Sequence, residues 1–241
     1  MNLLLDAENA GFFEKLRDRF VNCFIEDDRW KYLANGLAVT MKITLGAVVI
    51  GVILGFLVAA IRATHDKTGK LRILNFLANI YLTVIRGTPV VVQLLIVYFV
   101  ILAPLGVDEI LVAILAFGIN SGAYVAEIVR AGIMSVDNGQ FEAGRSLGFN
   151  YVQTMWYVIL PQAFKNILPA LCNEFIVLLK ETSVSGYIAL QDLTKGGYII
   201  VGRTFDAFMP LISVAIIYLV IVVILTKLVA LLERRLRNSE H

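Results

Sequence analysis

Charged residues are scarce in this sequence of 241 residues, where they make up only 17% of the chain. A disordered chain combines high net charge with few apolar residues, so that class is excluded. Apolar residues make up 59% of the chain and the mean hydropathy is +0.79, which is more than a soluble domain needs for its core. The net charge of +2 comes from scattered basic residues, which disfavours nucleic-acid binding. The expected solvent is a lipid bilayer.

Cysteine and histidine are also rare, with two residues of each. Cys23 lies in a polar segment and Cys172 in an apolar one, so neither a disulfide framework nor a metal cluster is indicated. His65 and His241 lie outside the apolar runs, so a metal or Ser-His site within the membrane would lack its base. An intramembrane enzyme is therefore disfavoured. The N-terminus shows no signal-peptide pattern, and the apolar segments are expected to be retained.

Long uncharged runs predict membrane-spanning helices, because a bilayer core about 30 Å thick needs about 20 helical residues. Four runs have a suitable length: residues 43–61, 87–107, 110–126 and 207–226. A fifth span is predicted at residues 167–188, although charged side chains interrupt it, because charge inside a membrane marks a protein-lined cavity. The polar side chains of residues 146–164 place that stretch in water. The predicted fold class is an all-α membrane protein with five transmembrane helices.

The distribution of Lys and Arg predicts the orientation of the chain. The later inner loops and the C-terminal tail carry more basic residues than the later outer loops, which places the C-terminus in the cytoplasm and the N-terminus outside. The chain divides accordingly into an N-terminal amphipathic tail (1–32), a transmembrane domain (33–233) and a cytoplasmic C-terminal tail (234–241).

Residues 12–24 of the tail have the pattern of an amphipathic helix. One helical face carries Phe13, Leu16, Phe20 and Phe24. This helix is expected either to lie in the outer membrane interface or to pack against the rest of the protein.

Small residues recur every four positions in two of the spans, which predicts close approach of helix backbones. They are Ala47, Gly51, Gly55 and Ala59 in the first span and Gly118, Gly122 and Ala126 in the third. The pattern does not decide whether the partner helix belongs to the same chain or to another.

The loop between the third and fourth spans, residues 138–165, has the most specific sequence. Residues 142–147 favour a helix, Gly148 permits a tight corner, and apolar residues lead on to Pro161. Such a segment can fold as a rigid knob on the inner face of the membrane. On composition alone it also fits any re-entrant or amphipathic loop.

This loop resembles the EAA loop of the permease subunits of ATP-binding-cassette (ABC) importers. The matching residues are Glu142-Ala143-Gly144, then Gly148, then nine residues, then Val158-Ile159-Leu160-Pro161. Gly144 and Val158 depart from the family's Ala and Ile. Three further stretches resemble the polar-amino-acid branch of the family: Arg86-Gly87-Thr88-Pro89, residues 121–130 and residues 179–184. The resemblance covers residues 33–233.

The resemblance implies a type I importer permease fold and a subunit that forms the translocation path without catalysing a reaction. It implies that a separate dimer of ATPase subunits binds ATP and Mg²⁺, and that this chain binds no cofactor. The loop would dock on that ATPase through Glu142, Ala143, Gly144, Arg145 and Gly148. Independently, the sequence has no Gly-x-x-x-x-Gly-Lys-Ser/Thr motif, since Thr64 stands where the first glycine before Gly69-Lys70 should be.

The same resemblance implies further partners: a second permease, which is this chain or a similar one, and an extracellular or periplasmic solute-binding protein. The expected location is the bacterial inner membrane, in contact with lipid. Carboxylates near the path indicate a cationic or zwitterionic amino acid as the substrate.

Polar residues within the spans are candidates for lining the path. In the third span, Asn120, Tyr124 and Glu127 share a helical face. In the fourth, the candidates are Glu174, Lys180, Thr182 and Ser183. Alternatives remain for each of them. Glu127 either binds substrate or pairs with Arg130, Arg86 or Lys180; an ion-pair network is favoured for Lys180 and Glu181; and Thr182 and Ser183 either donate to a carboxylate or bond to their own helix.

Thr88 is a candidate ligand because Thr88-Pro89 resembles a helix start, with Thr88 as N-cap. Free N–H groups at such a start favour a carboxylate, with Arg86 adding charge. The alternative is that Arg86 reaches the lipid phosphates and that Pro89 only ends an interfacial helix of residues 73–85.

A secondary carrier or channel, driven by an ion gradient through Glu127 or Glu174, is the competing function. Five spans do not divide into equal inverted halves, which weakens this alternative.

Overall fold

The computed structural model describes residues 11–238, which form helices joined by short turns, with no β-strand in that range. The helices are α1 (Phe12–Phe20), α2 (Trp30–Thr68), α3 (Arg72–Gly87), α4 (Val90–Leu95), α5 (Glu109–Met134), α6 (Asn138–Ser146), α7 (Tyr151–Thr154), α8 (Leu160–Glu181), α9 (Leu193–Thr204) and α10 (Phe208–Asn238). Short π or 3-10 segments extend several of them: Val21–Ile25, Glu26–Asp28, Ile96–Leu102, Ala103–Leu105, Met155–Ile159 and Thr182–Ile188. The all-α fold class is confirmed.

The contact between α2 and α5 forms the centre of the fold. The small residues predicted to pack are buried in both helices. A methyl group on Gly51 would lie 3.0 Å from Ser121 Oγ, and one on Gly118 would lie 2.8 Å from Ile50 Cγ2. The two stripes therefore allow close packing of α2 and α5 within a single chain, which answers the question that the sequence left open.

Three helices within residues 11–238 are long and apolar enough to cross a membrane, namely α2, α5 and α10. The helix α3 and the segment 90–105, which meet at a 110° bend, would make a fourth span if they are counted together. The helix α8, with its charged side chains, is not among them. The number of five spans therefore stays a prediction.

Residues 87–107 do not form the single uninterrupted span that the sequence predicted. Gly87 ends α3, Thr88 is extended with φ −124° and ψ 147°, and the next helix begins at Val90. Proline lacks an N–H group and excludes the helical conformation from the residue before it, so the chain turns at this point. The sequence predicted Thr88 as the N-cap of the new helix, but the N-cap is Pro89. The helix expected at residues 73–85 is present as α3.

The helix predicted at residues 167–188 begins sixteen residues earlier, at Tyr151, and runs through α7, Met155–Ile159 and α8. Pro161 therefore does not separate two elements. Pro161 comes two residues after the π turn Met155–Ile159, where the hydrogen-bond register changes, so the N–H group that proline lacks is not needed there. At the other end, Thr182–Ile188 continues as a 3-10 helix.

The N-terminal segment packs on the protein through its second half. Cys23 and Phe24 are buried in a cluster with Leu193, Ile200 and Val214, whereas Phe13 and Phe20 are exposed. The predicted apolar face is therefore divided: one end contacts α9 and α10, and the other end faces outward. The predicted boundaries at 32/33 and 233/234 fall inside α2 and α10.

Arg19 and Asp206 join this segment to the turn between α9 and α10. Arg19 Nε and Nη2 donate to the two carboxylate oxygens at 2.6 and 2.8 Å. The Arg19 guanidinium holds the pKa of Asp206 below its usual value. A lowered pKa in the folded state means that this contribution to stability is present at neutral pH and is lost as the pH falls through the folded value.

We expect the unfolding temperature of the purified protein to decrease when the pH is lowered below about 4, because Asp206 then takes up a proton. In Asp206→Asn the part of this pH dependence that comes from the pair should disappear. Unfolding temperatures measured between pH 7 and pH 3 in the parent, Asp206→Asn and Arg19→Gln check this. Identical pH profiles for all three would contradict the assignment.

Gly36 allows α2 to approach the N-terminus of α9 closely. A methyl group on Gly36 would lie 2.6 Å from the Asp192 carbonyl oxygen and 2.9 Å from Leu193 Cα, and these backbone atoms cannot swing away. Gly36→Ala should therefore destabilise the protein by about 1–3 kcal/mol. The matched control is Gly202→Ala, where nothing lies within 4 Å of the new methyl group. Thermal unfolding of both variants tests this, and equal stability would show that α9 is not packed as described.

Candidate functional site

A hydrogen-bonded network joins α5 to the break between α3 and α4. Asn120 Nδ2 donates to Gln93 Oε1 at 2.9 Å. Gln93 Nε2 donates to the Ile85 carbonyl oxygen at 2.7 Å and to Thr88 Oγ1 at 2.8 Å. The Thr88 hydroxyl itself donates to the Val84 carbonyl oxygen at 2.8 Å. Asn120 is only 2% exposed, so the structure places it and Thr88 in a network that fixes the helix break.

A second polar contact joins α5 to α8. Ser121 Oγ donates to Glu174 Oε1 at 2.8 Å. Thr182 is fully buried and donates to the Leu179 carbonyl oxygen, which is the self-bonded alternative considered for it. Lys180 is exposed and forms no ion pair within 4.0 Å in the described residues 11–238, so the ion-pair network expected for it with Glu181 is not formed. The two side chains lie in different surroundings: Lys180 lines a cavity of ≈ 400 Å³ with residues of α9 and α10, whereas Glu181 is half-buried.

Glu127 is the centre of an ion-pair cluster. It contacts Arg62 of α2 directly, Arg130 Nη2 at 3.3 Å and Arg86 Nη1 at 3.9 Å. The Arg86 guanidinium also lies over the ring of Tyr124, 5.8 Å from its centroid. Two of the three expected ion-pair partners, Arg130 and Arg86, are confirmed as neighbours. One carboxylate shared by three guanidinium groups leaves a net positive charge of two at this end of α5.

Ser183 lines a polar cavity of ≈ 460 Å³ between the Thr182–Ile188 segment and α9. The other lining residues are Gly186, Tyr187, Asp192, Thr194, Lys195 and Tyr198. Neither Asn120 nor Glu127, with which the sequence had grouped Ser183 as a path residue, lines this cavity. Asp192 is fully buried and accepts from Thr194 N and Lys195 N, so the charge that the cavity offers to a ligand is that of Lys195.

The loop that follows α5 is folded as a rigid unit. Asp137 caps α6 by accepting from Gly139 N at 2.7 Å, and Gly148 forms the corner with φ +82°. Asn150 and Gln153 then form a reciprocal capping box at the start of α7. The predicted helix and the predicted glycine corner are both present.

Side-chain contacts tie the loop to the helices around it. Gln162 Nε2 donates to Gln140 Oε1 at 3.1 Å, and Asn166 Nδ2 donates to Ser135 Oγ at 2.8 Å. Gly144 is buried, and a methyl group there would lie 2.6 Å from Thr154 Cγ2. Gly144 therefore allows α6 to approach α7, while Glu142, Ala143, Arg145 and Gly148 are exposed and free to meet a partner.

Sequence reasoning missed Arg62, Gln93 and Ser121 as members of these networks. Gln93 had a detectable signal, because it is the one amide side chain in the uncharged run 87–107. Arg62 directly follows the first predicted span, and its charge could have been matched with Glu127. Ser121 had no signal of its own, since a serine inside a helix most often bonds to its own backbone.

Comparison with known proteins gives consistent matches over most of the chain. Residues 47–238 match the family model described as binding-protein-dependent transport system inner membrane component. The chain is 41% identical over 211 residues to the arginine transport system permease protein ArtQ of Bacillus subtilis, covering 87% of this chain and 94% of that one. It is 38% identical over 199 residues to the glutamine transport system permease protein GlnP of Escherichia coli, covering 81% and 90%.

A solved structure is similar to the whole described fold. It is a crystal structure of an amino acid ABC transporter with histidines, which matches this chain with a TM-score of 0.80 at 41% sequence identity. The match covers 94% of this chain and 99% of the other. The chain thus has nearly the full extent of the proteins that it is similar to.

Removal of the shared carboxylate should destabilise the α2–α3–α5 contact. Glu127→Gln leaves three guanidinium groups facing one another without a counter-charge. Because the Glu127 side chain is 24% exposed, we expect a loss of about 1–3 kcal/mol, which is below the cost for a fully buried pair. Thermal unfolding measures this loss, with Glu233→Gln on the exposed face of α10 as the control.

The double variant Glu127→Gln/Arg62→Gln separates repulsion from a general packing defect. It should recover part of the lost stability because one of the unpaired charges is gone. If Glu127→Gln is as stable as Glu233→Gln, the cluster contributes nothing and this account of it is wrong.

Proposed function

Because the chain belongs to the family of binding-protein-dependent transport system inner membrane components, we propose that it is the permease subunit of an ATP-driven amino-acid importer. The observation that carries this proposal is the rigid loop of residues 137–166, in which α6 and the Gly148 corner present exposed Glu142 and Arg145. Relatives that align with most of the chain are named as permeases for arginine and for glutamine. The subunit forms the path and performs no catalysis.

In this proposal the loop receives force from a partner ATPase dimer, which binds ATP and Mg²⁺. Glu142 and Arg145 form polar contacts with the ATPase, and Ala143 allows a close approach. Gly144 contributes from inside the loop by holding α6 against α7, and Gly148 sets the direction in which the chain leaves α6. The cluster of Val129, Val136 and Ile167 joins the loop to α5 and α8, so a displacement of the loop moves these helices.

The substrate path in this proposal runs along α5 and α8. Glu174 and Tyr124 are the accessible ligands, and a carboxylate among apolar side chains favours the amino group or the cationic side chain of an amino acid. Asn120, Thr88 and Thr182 shape the path through the hydrogen bonds described above. Glu127 and Lys180 provide charge at opposite ends of the path, and Ser183 faces the cavity beside α9.

The remaining partners follow from the same proposal. A second copy of this chain, or a similar permease, completes the path, and a solute-binding protein delivers the amino acid on the outer side. The N-terminus faces outward and the C-terminus faces the cytoplasm, in line with the distribution of basic residues.

The direct test is uptake by proteoliposomes that contain this chain, its co-purified ATPase and a solute-binding protein. We expect uptake of a cationic or polar amino acid to require ATP and to be insensitive to ionophores that dissipate ion gradients. Uptake that proceeds without the ATPase and stops with an ionophore would instead establish a secondary carrier.

A substitution at the loop corner should uncouple ATP hydrolysis from transport. Gly148→Val places a β-branched residue at φ +82°, a conformation that such residues avoid, and therefore moves the exit of α6. ATP hydrolysis should continue while uptake falls by about tenfold or more, since the force no longer reaches α5. Parallel assays of phosphate release and amino-acid uptake measure this.

The matched control is Gly69→Val. Gly69 also has a positive φ, +65°, and open space around its α-carbon, but it lies in the turn between α2 and α3. The backbone strain in Gly69→Val is comparable to that in Gly148→Val, but ATP hydrolysis should remain coupled to uptake. Equal loss of coupling in both variants would mean that strain, and not the loop, causes the effect.

A further inference from the structure

The helix α3 carries a row of polar side chains, of which only the last, Arg86, takes part in a contact described above. The row consists of Arg72, Asn75, Asn79, Thr83 and Arg86, which we call the polar stripe. These residues recur every three or four positions, so at about 100° per residue they fall within about 80° of one another on the helix surface. Asn75 is half-buried and the other four are exposed.

The polar stripe lies within the depth of the membrane. The side of α3 next to the stripe, about 60–100° from its centre, packs through Ala78 and Leu82 against Val58 of α2 and Ala123 of α5. Tyr81 Oη donates to the Ile119 carbonyl oxygen at 2.6 Å. Val58, Ile119 and Ala123 belong to uncharged runs of spanning length, so α3 is embedded beside them and is not a helix on the membrane surface.

The stripe is distinct from the face of α3 that meets lipid. Leu77 and Val84 are 54% and 53% exposed and lie about 150° from the centre of the stripe. Lipid covers such apolar side chains at no cost. The side chains of Asn75, Asn79 and Thr83 form no hydrogen bond with any other part of residues 11–238, and two amides and a hydroxyl in hydrocarbon would be costly.

The stripe leads to residues already assigned to the path. At its end, Arg86 lies over Tyr124 and 3.9 Å from Glu127. One residue beyond α3, Thr88 accepts a hydrogen bond from Gln93, which in turn accepts one from Asn120. Polar side chains therefore follow one another from Arg72, next to the turn after α2, to the middle of α5.

We propose that the polar stripe of α3 lines a water-filled vestibule through which the polar substrate passes between the central network and the side of the membrane that holds the α6 loop. This inference rests on the proposed function for the identity of the substrate, a polar or cationic amino acid. Asn75, Asn79 and Thr83 are then path residues. Arg86, Glu127 and Tyr124 form the inner end of the narrow part of the path. Water and substrate satisfy the donors and acceptors that the chain itself leaves open.

Single cysteines test the accessibility of the stripe without depending on transport. Asn75→Cys, Asn79→Cys and Thr83→Cys are placed in a background of Cys23→Ser and Cys172→Ala, with Leu77→Cys and Val84→Cys as matched controls on the lipid face. The whole complex in inside-out vesicles is treated with 2-sulfonatoethyl methanethiosulfonate, which does not enter lipid. Labelling is measured without nucleotide and with ATP plus vanadate.

We expect the three stripe cysteines to react about tenfold faster than the two controls in at least one of the nucleotide states, because only a hydrated thiol ionises. Maleimide labelling after denaturation in detergent confirms that every cysteine is present, and co-purification of each variant with the ATPase confirms that it is folded in the complex. Stripe cysteines that react no faster than the controls in either state overturn the proposal. So does rapid oxidation of Asn79→Cys to a disulfide-linked pair of permeases together with slow labelling, since that places the stripe in a dry contact between copies.

A transport measurement distinguishes this inference from the proposed function. Asn79→Leu should lower ATP-driven uptake several-fold, Asn79→Ser should retain it, and Ile80→Leu on the lipid face should have no effect. If the parent complex shows no ATP-driven uptake, the proposed function fails while the labelling result stands. If Asn79→Leu transports as well as the parent, the stripe is not on the path even though the importer is confirmed.

Discussion

The rest of the structure depends on one constraint: a polar group inside a bilayer must find a partner within the protein or remain in water. The chain meets this constraint with partners between helices. Asn120 with Gln93 links α5 to α4, and Ser121 with Glu174 links it to α8. Glu127 links α5 to α2 through Arg62 and to α3 through Arg86. The small residues of α2 and α5 bring the two backbones together, so that α5 becomes the common support of these contacts. The position of each polar side chain is thus fixed by the packing of apolar ones.

The same helix connects the membrane interior to the loop that follows it. At its end, Gly132 and Val129 pack against Ile167, and Ser135 accepts a hydrogen bond from Asn166 of α8. The loop is held to α8 by Gln140 and Gln162. Interiors packed in this way transmit displacement and do not absorb it. In the proposed importer, a movement of α6 therefore reaches Glu127 and Glu174 through a short and continuous series of contacts, without a flexible joint.

Much of this organisation could be predicted from the sequence where one local property determines the outcome. Uncharged runs locate α2, α5 and α10, small-residue stripes indicate the α2–α5 contact, and Gly148 marks a corner that the backbone indeed forms at positive φ. The bend at Thr88-Pro89 was partly visible, since the proline was recognised but placed one position into the helix instead of before it. The early start of the helix at Tyr151 was not visible, because tolerance of Pro161 depends on a π turn that has no sequence signature. The opposite charges of Arg62 and Glu127 are visible in the sequence as a possible pair, but whether they meet depends on how α2 and α5 lie against each other.

The central claim is that the α6 loop lies on the ATPase side of the membrane and contacts the ATPase. Leu147, which is 73% exposed at the end of α6, is the place to test it. Leu147→Cys would be labelled with an impermeant thiol reagent in sealed vesicles of both orientations, with and without the bound ATPase. The account predicts labelling from the cytoplasmic side only, and protection when the ATPase is present. Labelling from the outer side, or equal labelling with and without the ATPase, would contradict it.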